Sequence, residues 1–299
     1  MMHKISTTEE AREFLDSIDT FLFDCDGVLW EGDRVLDGVR ETLSLLRQTG
    51  KRILFVTNNS TKSRSMYLKK LVSMKIEATE EEIFGSAYAT AYYVKNILDF
   101  PTDKKVYAFG DKGLKEELEA QNVTVCGIGE DNEPIDFDTL HTIKPDDSIG
   151  AVILGFDINL NYRKYAKAFT YLYHNPECTF IATNEDSTYP IHGTVYPGTG
   201  AIISPVITAL GRRPIVMGKP EKPMIDCVVD KYHLDKNRTC MVGDRLNTDI
   251  LFGINGGLKT LLVLTGISKE HEILDQDQPI KPDFYANALG DLYFLSQQQ

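Results

Sequence analysis

The sequence predicts an α/β protein with a doubly wound parallel-sheet core and an inserted second α/β domain. Three observations predict it. Short apolar runs, each closed by polar and Gly residues, alternate with stretches at helical spacing, which is the pattern of βαβ units. The runs are apolar throughout, as strands covered on both faces are. The series also restarts in the middle of the chain and returns to its first form in the last third. At roughly 100–200 residues per domain, 299 residues suit two domains or one large one.

The elements follow in order. Phe14, Leu15 and Ile18 recur at helical spacing behind a cap region at Ser6–Glu10. Thr20–Phe23 is an apolar run that stops at Asp24-Cys25-Asp26-Gly27, and reads as a buried parallel strand. Val39–Gln48 reads as a helix ended by Gly50. Arg52–Val56 is the next strand, closed by Thr57-Asn58-Asn59-Ser60, and Lys62–Met74 the next helix. The middle block has strands at 105–109, 123–125, 151–154 and 179–182, with helices at 113–121 and 163–174. Residues 131–147, polar and with two prolines, read as a loop. In the last third, Pro214–Met217, Cys240–Val242 and Thr260–Leu264 each end in a polar, Gly-containing turn. They are expected to rejoin the first sheet. The predicted division is 1–102 core, 103–212 insert and 213–299 core.

Charge and cysteine usage narrow the function. Lys+Arg number 32 against 44 Asp+Glu, a net charge of −12, so phosphate backbones and anionic membrane surfaces repel the chain. No nucleic-acid or membrane partner is expected. A small anion in a local basic pocket remains compatible. The five cysteines form no CxxC pair, which argues against a disulfide framework or zinc site and for a reducing compartment. The first 20 residues lack the apolar core of a secretory signal, and no run reaches the ~18 apolar residues of a membrane span. The expected setting is cytoplasmic, with nuclear presence left open.

The chemistry gathers at predicted strand ends, where parallel sheets bind ligands. Asp24 and Asp26, Thr57 and Asn58, Lys219, Asp244 and Asp249 all follow apolar runs. Neighbouring carboxylates repel each other unless a cation joins them, and hard oxygen ligands suit Mg²⁺. Lys219 supplies a point charge, and Gly27 with the Asn58-Asn59 turn offers backbone donors to phosphate oxygens. Positions i and i+2 just past a strand let one carboxylate attack phosphorus while the other carries a proton.

These residues resemble the haloacid dehalogenase phosphatase superfamily. FDCDGVLW at 23–30 resembles its first motif and VTNNSTKSR at 56–64 its second. GKP at 218–220 resembles the third and GDRLNTDI at 243–250 the fourth. Thirty-three residues separate Asp24 from Thr57, and 162 separate Thr57 from Lys219, the interval in which the family carries a C2-type (IIA) cap. ATNEDSTYP at 182–190 and PGTGAI at 197–202 resemble the subgroup of p-nitrophenylphosphatases, phosphoglycolate phosphatases and pyridoxal phosphatases, and the likeness is nearest to its fungal branch.

The resemblance implies a Mg²⁺-dependent phosphomonoester hydrolase working through an aspartyl phosphate. It implies Asp24 as nucleophile and metal ligand. Asp26 is the general acid/base, with its backbone carbonyl on the metal. Thr57, Asn58 and Asn59 bind the phosphoryl group with the Gly27 amide nearby. Lys219 stabilises phosphoryl and nucleophile charge, Asp244 is a metal ligand, and Asp249 joins the metal site through water. Asn184, Asp186 and Tyr189 are candidate substrate contacts in the cap. The expected substrate is 2-phosphoglycolate, with p-nitrophenyl phosphate also turned over, and a homodimer fits the family. Pyridoxal phosphate, a sugar phosphate or a phosphoprotein is the alternative substrate. The rival outside enzymology is a phospho-acceptor or regulatory protein on the same fold, and Asp26, a base for water, counts against it.

Some of these residues also fit plainer structural roles. Asp244 and Asp249 could cap the helix after Arg245. Gly198-Thr199-Gly200 lacks the third glycine of a dinucleotide fingerprint and reads as a turn before a helix. Trp30 reads as packing at the turn Gly32-Asp33. Cys25, between two acids, is expected to point into the core with its thiolate disfavoured.

Overall fold

A computed structural model describes residues 2–191 and 194–298. The chain forms two compact units. The first runs through Thr57, takes Leu68–Phe84, and resumes from Lys219; the second is Asn58–Tyr67 with Gly85–Gly218. The expected insert, 103–212, falls within the second unit.

The first unit holds a seven-stranded sheet in the order His3–Lys4, Phe284–Ala286, Lys259–Val263, Thr239–Gly243, Thr20–Phe23, Arg52–Thr57, Ile83–Gly85. The strands pair parallel from His3–Lys4 through Arg52–Thr57. From Thr20–Phe23 the chain moves outward through Arg52–Thr57 and Ile83–Gly85, then returns to the other side of Thr20–Phe23 at Thr239–Gly243. The strand order therefore reverses between Thr20–Phe23 and Thr239–Gly243, where a doubly wound sheet opens its ligand crevice. Asp24 and Asp244 are the next residues after those two strands. Phe21, Leu22, Phe23, Met241, Val242, Leu261 and Leu262 are fully buried, which is why these strands are apolar along their whole length.

Local chemistry sets the helix ends. Thr7 caps Thr8–Ser17 by accepting from the Glu10 N–H, while the Glu10 carboxylate accepts from the Thr7 N–H. The helix Val39–Gln48 ends before Gly50, whose φ of +74° lies in the left-handed region that favours glycine.

The second unit holds a five-stranded parallel sheet in the order Ile215–Val216, Thr179–Ala182, Ile149–Leu154, Lys105–Phe109, Val125–Cys126. This corrects one expectation. The run before Lys219 does not rejoin the first sheet: Ile215 and Val216 pair with Ile181 and Ala182. A two-residue apolar strand carries too little pattern to say which sheet it joins. Residues 131–147, read as a loop, contain a short 3₁₀ helix at Phe137–Thr142. Two hairpins, Trp30–Glu31 with Arg34–Val35 and Thr188–Ile191 with Thr194–Pro197, complete the strands.

Candidate active site

In the first unit, four of the expected residues meet at one point. Carboxylate oxygens of Asp24, Asp244 and Asp249 lie within 4.8 Å of one another. Lys219 Nζ lies 2.5 Å from Asp24 Oδ1 and 2.7 Å from Asp249 Oδ1, and donates to the Val56 carbonyl at 3.0 Å. Asp244 and Asp249 are buried, as is Lys219. Thr57, buried at the end of the strand beside Thr20–Phe23, lies at the same end of the sheet.

The electrostatics are unbalanced. Burial pushes Asp24 well above the usual carboxylate range, and the Asp249 and Asp244 charges add to it while Lys219 opposes. Burial and then Asp249 push Asp244 up to about 7, against a hydrogen bond of 2.8 Å from the Ile267 N–H. For Lys219, burial works against the charge, but Asp24 and Asp249 outweigh it and hold the ammonium protonated. Three carboxylates face one ammonium. Like charges this close are costly without a further cation, so the donor set fits a hard divalent metal ion.

The backbone is shaped around these carboxylates. A Cβ on Gly27, whose φ is +80°, would stand 2.5 Å from Asp244 Oδ2. One on Gly266 would collide with the Asp244 carboxylate, and one on Gly243 with the Asp249 side chain. The Gly27 N–H donates to the Trp30 carbonyl at 2.8 Å, so Gly27 supplies space here rather than a free amide for phosphate. Its carbonyl accepts from Thr265 Oγ1 at 2.5 Å. Asp249 is more than a helix cap: it accepts from the Arg245 N–H at 3.2 Å and also pairs with Lys219.

Asp26 stands apart from the three-carboxylate cluster. It is exposed, and its Oδ1 accepts from the indole Nε1 of the fully buried Trp30 at 2.8 Å. Sequence reasoning saw only packing in Trp30; the DxDxxxW spacing held the signal. Cys25 is fully buried, and burial with the flanking Asp24 and Asp26 raises its thiol well above the ordinary value.

The remaining candidates gather in the second unit. Asn58 Nδ2 donates to both Asp186 oxygens, at 3.1 and 3.2 Å. The Asn58 carbonyl accepts from Asn184 Nδ2 at 2.8 Å and from Ser86 Oγ at 2.6 Å. Asn59 Nδ2 donates to the Tyr189 hydroxyl at 3.3 Å, and its Oδ1 accepts from Thr61 N–H and Oγ1. Partners not foreseen hold this loop. Thr183 Oγ1 bonds Ser60 Oγ at 3.0 Å, and Glu117 accepts from the Arg64 N–H at 2.5 Å and from its guanidinium. Gly198 and Gly200 open the helix Thr199–Leu210, and a Cβ on either would strike the 185–188 backbone. They are glycines for close approach.

Comparison with known proteins identifies the family. Residues 21–124 match the haloacid dehalogenase-like hydrolase family, and residues 216–292 match a related hydrolase-like family of the same superfamily. The chain is 47% identical over 296 residues to a 4-nitrophenylphosphatase of Schizosaccharomyces pombe, covering 98% of this chain and 99% of that one. It is 44% identical over 290 residues to the chloroplastic phosphoglycolate phosphatase 1A of Arabidopsis thaliana, covering 96% and 79%. The crystal structure of a 4-nitrophenylphosphatase from Thermotoga maritima superposes with a TM-score of 0.78 at 30% identity, covering 95% and 99%. The chain belongs to the haloacid dehalogenase-like hydrolase family, among its phosphatases.

Proposed function

We propose that the chain hydrolyses small phosphomonoesters, 2-phosphoglycolate first among them, through a phosphorylated Asp24. The observation that carries the chemistry is the surplus of buried carboxylate around Lys219 where the strand order reverses. The substrate preference rests on relatives named for phosphoglycolate and 4-nitrophenyl phosphate.

In this reading an Asp24 oxygen attacks phosphorus, and the bond from phosphorus to the leaving oxygen breaks. The leaving oxygen takes its proton from the Asp26 carboxyl. Water then attacks the phosphoryl-Asp24, giving its proton to Asp26; the bond to Asp24 breaks and inorganic phosphate departs. Lys219 holds Asp24 in place and counters the developing charge. Thr57, Asn58 and Asn59 orient the phosphoryl group. Asp24, Asp244, Asp249 and the Asp26 carbonyl are the proposed holders of Mg²⁺, which when bound supplies charge neutralisation for carboxylates and phosphoryl oxygens. Asn184, Asp186 and Tyr189 are proposed to set substrate choice. All five cysteines are free, which suits a reducing, cytoplasmic setting.

A panel of 2-phosphoglycolate, pyridoxal phosphate, p-nitrophenyl phosphate, sugar phosphates and a phosphopeptide tests this by kcat/KM, with and without Mg²⁺. The highest value for 2-phosphoglycolate supports the reading. A clear preference for another member reassigns the substrate, and no turnover of any member removes the enzymatic reading.

A further inference from the structure

We propose that Trp30 is the positioning residue for Asp26: its indole N–H fixes one carboxylate oxygen and leaves the other turned outward for proton transfer. The inference rests on Asp26 being the acid/base of the proposed reaction. Trp30 is fully buried, so its one polar atom needs a partner inside the protein. That partner is Asp26 Oδ1, at 2.8 Å. The other Asp26 oxygen accepts no hydrogen bond from the described residues, and the side chain is exposed.

The same residue closes the loop through its backbone. The Trp30 carbonyl accepts from the Gly27 N–H at 2.8 Å, and Trp30 pairs with Val35 in the short hairpin. Five residues, Asp26 to Trp30, are thus pinned by a main-chain and a side-chain bond. An exposed aspartate at a strand end would otherwise turn freely about its side-chain bonds. Lys70 Nζ stands 4.2 Å from the centre of the Trp30 ring. A cation on the ring face withdraws electron density from the indole and strengthens its N–H as a donor.

A merely structural Trp30 and a positioning Trp30 predict different kinetics. Protonation matters most for a poor leaving group, an alkoxide, and least for p-nitrophenolate, which departs readily as an anion. Trp30→Phe removes the N–H and keeps a ring. Its kcat/KM for an alkyl phosphate is expected to fall at least about tenfold, and that for p-nitrophenyl phosphate no more than about threefold. Lys70→Gln is expected to shift the same ratio by about twofold. In an Asp26→Asn background, Trp30→Phe adds nothing further. Equal losses on both substrates would reduce Trp30 to packing and overturn the proposal.

Trp30 is the one tryptophan of the chain, so an indole ¹H–¹⁵N spectrum holds a single resonance. Asp26→Asn is expected to move it upfield, a readout independent of whether Trp30→Phe folds; an unmoved resonance overturns the hydrogen bond. Failures separate cleanly. Full alkyl-phosphate turnover by Asp26→Asn would remove the acid/base reading itself. An inactive Asp26→Asn beside a Trp30→Phe with the parent's leaving-group profile would remove the Trp30 proposal alone.

Discussion

Each unit buries a lysine among aspartates, and the two clusters differ in charge balance. In the second unit, Lys164, 1% exposed, pairs with Asp157 at 2.7 Å and donates to Asn132 Oδ1 at 2.7 Å. Lys167 pairs with Asp131 at 2.6 Å, and Asp131 also accepts from the Tyr107 hydroxyl at 3.2 Å. Two ammonium groups meet two carboxylates there. In the first unit one ammonium, Lys219, meets three carboxylates, Asp24, Asp244 and Asp249. The balanced cluster ties the loops at 131–132 and 157–161 to the helix Tyr162–His174 and asks for nothing more. The unbalanced one holds a surplus of negative charge that a divalent metal ion can offset. Burial of ions does not mark a functional site by itself. A buried surplus of one sign does.

The largest expected effect lies in the cluster around Lys219. Asp24→Asn is nearly isosteric, and its kcat is expected to fall at least about 1,000-fold while the thermal midpoint stays level or rises, because a buried repulsion is relieved. Asp157→Ala should do the reverse. It strands Lys164 without its carboxylate, costs about 3–5 kcal/mol of stability, and leaves kcat of the folded enzyme at the parent value. A calorimetric midpoint unchanged by Asp157→Ala, or an active Asp24→Asn, would erase the distinction between the clusters.

Metal removal sharpens the same contrast. Chelation is expected to abolish turnover, and saturating Mg²⁺ to raise the thermal midpoint by linkage, about 2.7 kcal/mol at a hundredfold excess over the dissociation constant. Asp244→Asn should lose most of that increment, whereas Asp131→Asn should keep it. Gly27→Ala brings a Cβ toward Asp244 Oδ2. The Mg²⁺ concentration for half-maximal activity is expected to rise about tenfold in that variant. The smallest effect belongs to Tyr189→Phe, which removes the bond from Asn59. A rise of about fivefold in KM, measured on 2-phosphoglycolate, corresponds to the loss of one such hydrogen bond.

Legibility in the sequence followed how local each feature is. Thr20–Phe23, Lys105–Phe109 and Thr179–Ala182 are strands at the expected residues, because a strand covered on both faces is a solid apolar run. Ile215–Val216 was legible as a strand but not in its sheet, since its neighbour is set by tertiary pairing. Asp24, Lys219, Asp244 and Asp249 stand out because polar residues after apolar runs share one end of a parallel sheet. Sequence spacing carried no sign that Asn58 would bond Asp186, 128 residues away, or that Thr265 would hold the Gly27 carbonyl. Trp30 reads as a hydrophobic residue, and the use of its single N–H became visible only in three dimensions.

The unbalanced cluster is proposed to carry a phosphoryl group on Asp24. Acid quenching during steady-state turnover of p-nitrophenyl phosphate with Mg²⁺, followed by peptide mapping by mass, reads this directly. A phosphorylated peptide containing Asp24 is expected in the parent protein and none in Asp24→Asn. Turnover of p-nitrophenyl phosphate by Asp24→Asn at the parent rate, or phosphate on a different residue, would contradict it.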